Sequence, residues 1–122
     1  MIPSLQKDIQ LLMKILQNQQ NIKNVIRDFG CTEKDLETNT YAFDLCALYM
    51  AQIGEAAKLL TKETQDSFQY FDGTITKYFR NMIDHVYEKV NRKYLKAYIF
   101  TTVSNEVMKE IKDRIQYCHE HA

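Results

Sequence analysis

The 122-residue chain carries 16 basic and 16 acidic residues, and this zero net charge excludes the uniformly basic surface of a protein that coats nucleic acid. Its 45% hydrophobic and 26% charged content fits one soluble globular domain over residues 1–122, large enough to bury a core without disulfides or metal. Three glycines and a single proline, at position 3, leave few helix breakers and point to an all-α chain.

Cys31, Cys46 and Cys118 are widely spaced and form no C-x-x-C pair. They read as reduced packing residues of a cytoplasmic protein, not as a zinc site or disulfide framework. No metal or cofactor is expected. Gln6, Lys7, Asp8 and Gln10 interrupt any early apolar run, and Leu45–Ala51, the longest such run, is too short to cross a bilayer.

Ser4, behind Pro3, suits the N-cap of a long first helix. Leu5, Ile9, Leu12 and Leu16, resumed by Ile22, Ile26 and Phe29, form its apolar stripe. The polar middle, Gln17–Asn21, predicts a place where the facing helix diverges. Gly30 is a natural C′ stop, and Thr32–Asp35 has the pattern of a capping box opening a short helical turn. A second main helix is expected from Thr40 to Lys62, narrowed by Gly54, Ala56 and Ala57.

Glu63–Gly73 is the least periodic segment, and its aromatics, Phe68, Tyr70 and Phe71, predict a connection folded onto the bundle. A third helix should start near Thr74. Asn91 reads as the N-cap of a final helix from Arg92 to about His119, with the stripe Phe100, Val103, Val107, Ile111, Ile115 and Cys118. The economical architecture is an antiparallel, four- to five-helix up-and-down bundle.

The chemistry-bearing stretch is Arg80-Asn81-Met82-Ile83-Asp84-His85-Val86-Tyr87. An imidazole transfers protons near neutral pH, a guanidinium grips phosphate, and a phenol is a modifiable hydroxyl. Arg114 and His119 repeat the Arg-x4-His spacing, so spacing alone selects nothing. On a regular helix Arg80, Asp84 and Tyr87 share one face, while Arg80 and His85 lie about 140° apart. Arg80 and His85 converge only if the helix ends near His85 or a second subunit completes the site. An exposed Arg80–Asp84 pair beside a surface histidine is the plainer alternative.

Met50-Ala51-Gln52-Ile53-Gly54-Glu55-Ala56-Ala57-Lys58-Leu59-Leu60 precedes Arg80-Asn81-x3-His85-x-Tyr87 by some twenty residues. Together the two segments resemble the HEPN superfamily, most closely the HepT-like toxins encoded beside minimal nucleotidyltransferases. The resemblance covers nearly the whole chain. It implies a homodimer that brings two Arg/His clusters to one cleft, with metal-independent endoribonuclease activity on RNA. It further implies a nucleotidyltransferase antitoxin, which in some systems transfers AMP to the tyrosine. Carried over residue by residue, Arg80 and His85 match the catalytic pair, Asn81 the polar residue after the arginine, and Tyr87 the modified tyrosine. Glu55 and Asp84 are candidate supporting residues.

Asp84 stands where the relatives usually have an apolar or small residue, the tryptophan common before the active-site helix is absent, and Asn91 replaces a frequent aspartate. A carboxylate beside His85 raises the imidazole pKa and repels phosphate unless Arg80 or Lys77 neutralises it. Asp84 therefore keeps a second reading open, a non-catalytic HEPN accessory subunit that docks a nucleotidyltransferase and helps bind its substrate or nucleotide. Lys89, Arg92, Lys93 and Lys96 form a basic stretch beside the motif, either a solvated face or a hold for an RNA backbone.

Overall fold

A computed structural model describes residues 3–30, 32–73, 79 and 92–122, and within these the chain is an all-α helical bundle. Six helices are present among the described residues: α1 (Pro3–Asp28), α2 (Glu33–Thr38), α3 (Thr40–Lys58), α4 (Lys62–Asp66), α5 (Arg92–Thr102) and α6 (Asn105–His121). None of the described helices is long and apolar enough to cross a membrane.

Helix α1 begins at Pro3, so Ser4 lies inside it and is not its N-cap, whereas the signals that follow act where the sequence puts them. Gly30, at a φ of 62°, ends the run out of α1 in the left-handed region that glycine enters without a Cβ penalty. Thr32 and Asp35 close the capping box of α2, each side chain accepting from the other's backbone amide. Asn39 caps α3 by accepting from the Ala42 amide.

Long-range hydrogen bonds give the helix directions. Asp8, near the start of α1, bonds to Thr61 and Thr64 just beyond the end of α3, so these two helices run antiparallel. Gln19 donates to the Thr102 carbonyl, just before α6 begins, and Arg114 near the end of α6 reaches Thr64. The last helix is therefore also antiparallel to α1. Leu12, Ile15 and Ile22 of α1 meet Phe43, Met50 and Ile53 of α3 and Ile111 and Cys118 of α6 in the core. Leu36, Phe79 and Ile99 close it.

Other expectations change as well. The buried line of α1 runs through Leu5, Asp8, Leu12, Ile15, Gln19 and Ile22, so Ile9, Leu16 and Ile26 lie at its margin and are only partly buried. Within the polar middle Asn18 and Gln19 are buried while Gln17 and Gln20 stay exposed, and the Gln19 amide satisfies the otherwise orphaned Thr102 carbonyl. The second main helix ends at Lys58, not Lys62, because Thr61 turns outward to cap α4 and to donate to Asp8.

The final helix is two helices. Ser104 caps α6 by accepting from the Val107 amide, and Thr102 donates its hydroxyl back to the Tyr98 carbonyl at the end of α5. The helix expected from Thr74 and the N-cap expected at Asn91 lie outside the described residues.

Candidate functional site

Arg80, Asn81, Asp84, His85 and Tyr87 lie outside the described residues, as do Lys77 and Lys89. The approach to them is described. Phe79, the residue before Arg80, is fully buried in the core and fixes the chain there by packing.

The approach is fixed a second time, just before Thr74. Glu110 of α6 accepts three consecutive backbone amides with one carboxylate: Gln69 at 2.6 Å, Tyr70 at 2.8 Å and Phe71 at 2.9 Å. Successive amides turned to one anion make a strong, geometrically selective cradle. Gly73 then passes close to α3, where an added Cβ would stand 3.1 Å from the Ala57 Cβ. Phe68 and Phe71 meet edge to face at 5.3 Å. Phe68 and Phe71 pack this connection onto the bundle as expected, whereas Tyr70 is 55% exposed, and the Glu110 clamp had no local signal.

Of the candidate residues, Glu55 is described. Ile53, Gly54, Ala56 and Ala57 turn inward and are buried, whereas Glu55 is half-buried and its carboxylate pairs with Lys58 at 3.2 Å. The small residues of this segment are therefore packing residues. A cavity of about 350 Å³ opens where α3 ends, lined by Ala57, Lys58, Leu60, Phe68, Phe71 and Gly73 among others. Lys58 thus connects the Glu55 pair to the concavity nearest in sequence to the motif.

The basic stretch is partly engaged within the fold. Arg92 donates to the Thr40 hydroxyl at 2.7 Å and lies over the Phe43 ring, 5.4 Å from its centroid. Lys96 pairs with Glu37 at 2.7 Å. Both cations hold α5 against α2 and α3, which weakens the case for an RNA-holding face at these two positions.

The second Arg-x4-His copy does not form a site. Arg114 has a side chain only 10% exposed, donates from Nε to the Thr64 hydroxyl at 3.1 Å, and lies over the Tyr117 ring at 4.1 Å. His119 is exposed. Arg114 belongs to a buried polar network that sequence reasoning missed. In it, Asp8 accepts from the Thr61 amide at 3.0 Å and from the hydroxyls of Thr61 at 2.6 Å and Thr64 at 2.7 Å. Asp8 falls on the core line between Leu5 and Leu12, and that placement was its available signal.

Cys46 and Cys118 are buried, as packing residues should be. Burial pushes the Cys118 thiol above its ordinary value, with nearby Arg114 opposing the shift. Among the described residues no group of three or more His, Cys, Asp or Glu side chains could hold a metal ion. No protein-family model, curated protein or solved structure matches the chain.

Proposed function

We propose that this protein is a cytoplasmic RNA-cleaving toxin of the HepT kind, acting as a homodimer and neutralised by a nucleotidyltransferase. The observation that carries the reading is the ordered pair of motifs, Ile53–Lys58 followed by Arg80-Asn81-x3-His85-x-Tyr87. An all-α bundle is the architecture such a toxin requires. The division of the first motif, with Glu55 and Lys58 less buried than the small residues between and beside them, also supports it.

The chemistry needs no cofactor. The 2′-hydroxyl of RNA attacks the adjacent phosphorus and the 5′-oxygen leaves. His85, whose reference pKa is about 6.5, moves the protons, and Arg80 stabilises the charge gathering on the phosphorane. Asn81 and Glu55 support Arg80. DNA lacks the attacking hydroxyl and resists. AMP placed on Tyr87, two residues from His85, brings negative charge and bulk to the space the RNA phosphate needs.

The test is RNA cleavage by purified protein in EDTA. His85→Ala and Arg80→Ala should each lower the rate by about 10²- to 10⁴-fold, with DNA untouched. Lys109→Ala, at an exposed ion pair, is the appropriate silent control. Arg114→Ala is not, because that side chain is built into the fold. Unchanged cleavage in either motif variant would refute the assignment. No cleavage by a protein that still binds its nucleotidyltransferase would instead establish the accessory-subunit reading, which Asp84 favours.

A further inference from the structure

The cavity at the end of α3 joins a flat apolar wall to a rim rich in hydrogen-bond acceptors. Its volume, about 350 Å³, lies at the small end of the range for ligand pockets. Ala57, Leu60, Phe68 and Phe71 supply the apolar wall. The two phenyl rings meet edge to face at 5.3 Å, so a planar group stacked on one ring meets the edge of the other. This wall is built in advance. Glu110 holds the Gln69, Tyr70 and Phe71 amides, and Gly73 brings the end of the connection against Ala57.

The polar lining is one-sided. Asp66 and Asp72 bring carboxylates. Gln65 spends its amide nitrogen on the Leu60 carbonyl at 2.8 Å, which fixes its amide and leaves the oxygen as the group it can offer a ligand. Asp66 pairs with Lys62 at 3.0 Å through two well-exposed side chains. Such a contact contributes little and leaves lone pairs on both carboxylate oxygens. Lys58 is the cation among the described lining residues, and its ammonium keeps hydrogens to donate beyond the contact with Glu55 at 3.2 Å.

We propose that this cavity is a nucleobase subsite that selects guanine, with Asp66 reading the base. The inference rests on RNA as the substrate in the reading above and names the base that substrate presents. The lining ends at Gly73, a few residues before Arg80.

The chemistry of the rim selects guanine among the four bases of RNA. Guanine alone sets two adjacent donors, N1–H and the 2-amino group, beside one acceptor, O6. A carboxylate accepts both donors in parallel, and an ammonium donates to O6. Adenine and cytosine each present a single exocyclic amine on that edge, and uracil one N–H between two acceptors. Each of these leaves the carboxylate half used or sets it against an acceptor. The phenyl wall adds stacking, which every base shares, so it supplies affinity and the rim supplies the choice.

The test is titration of the full chain with nucleoside monophosphates, followed by backbone amide NMR shifts, with circular dichroism as the check on folding. Guanosine monophosphate should shift the Ala57, Phe71 and Gly73 amides to saturation. The adenosine, cytidine and uridine monophosphates should bind about tenfold more weakly. Inosine monophosphate, which lacks only the 2-amino group, should also bind about tenfold more weakly than its guanosine counterpart. Asp66→Asn should weaken guanosine monophosphate by about tenfold and bring it level with inosine monophosphate. Lys58→Ala should weaken the guanosine and inosine ligands alike and preserve the ratio between them. Both side chains are exposed, so neither change threatens the fold. No shift at the three amides, or equal binding of the guanosine and adenosine ligands, would overturn the proposal. A guanine preference that survives Asp66→Asn would overturn the assignment to Asp66. The titration needs no cleavage. Guanine binding by a protein that cuts no RNA would remove the catalytic reading and keep the subsite, and cleavage without guanine binding would do the reverse.

Discussion

Asp8→Ala should be among the most damaging single changes in the described structure. Asp8 is fully buried and accepts three hydrogen bonds, one from the Thr61 amide and two from the hydroxyls of Thr61 and Thr64. Both hydroxyls already accept, Thr61 from the Thr64 amide at 3.2 Å and Thr64 from Arg114, which limits how far they can turn to new partners. Orphaning the part-buried Thr61 amide alone costs about 1–2 kcal/mol. Adding the two hydroxyl bonds and the disturbed Arg114 contact brings the loss to about 3–5 kcal/mol, the scale of breaking a buried charged network. A chain of this length loses about 4 °C in Tm per kcal/mol, so the melting temperature should fall by about 12–20 °C. Asp8→Asn keeps the shape and one acceptor and should cost about 1–2 kcal/mol, or about 4–8 °C. Thermal denaturation followed by circular dichroism decides the matter, with Lys109→Ala as a surface comparison. An Asp8→Ala shift no larger than that of Lys109→Ala would refute the reasoning.

Two further outcomes follow from the carboxylates that hold backbone. Glu110→Ala should speed hydrogen exchange at the Gln69, Tyr70 and Phe71 amides by about tenfold or more, while amides at the centre of α1 keep their protection; equal exchange in both proteins would mean the clamp is idle. The Asp35 carboxyl is held below its ordinary value of 3.8, first by the Thr32 amide and then by the Thr32 hydroxyl. A depressed carboxylate stabilises the fold above its unfolded pKa, and that contribution disappears as pH falls through the folded value. The α2 cap should therefore loosen only below about pH 3.8, and Asp35→Asn should flatten that dependence in an NMR titration of the α2 amides. An Asp35 midpoint at or above 3.8 would contradict the cap geometry.

What the sequence revealed was whatever a residue decides with its chain neighbours. Gly30 stops α1, Thr32 and Asp35 box the start of α2, and the small residues before Lys58 pack inward. What it hid was whatever a residue decides with a distant partner. The break after Lys58 depends on Asp8, about fifty residues earlier, which draws Thr61 out of the helical path. Gln19 reads as a surface residue until the Thr102 carbonyl, 83 residues on, is placed opposite it. Arg114 likewise looked interchangeable with any surface arginine because Thr64 and Glu63 reach it from another helix. For the candidate site the balance is different. Its motif is legible as residue types in order, and its structural surroundings begin at Glu55, Phe79 and the clamped connection.

The Glu110 clamp also sets an order of events while the chain is being made. Gln69, Tyr70 and Phe71 are synthesised 41, 40 and 39 residues before the carboxylate that binds them. At ordinary elongation rates that is an interval of about 2–8 s. During it these three amides lack their carboxylate partner, and the stretch leading into Arg80 gains this second tie to the bundle only once α6 has docked. A nascent chain that stalls before residue 110 thus cannot make this tie, so the segment entering the candidate motif is held in place late in synthesis, after most of the chain has been made.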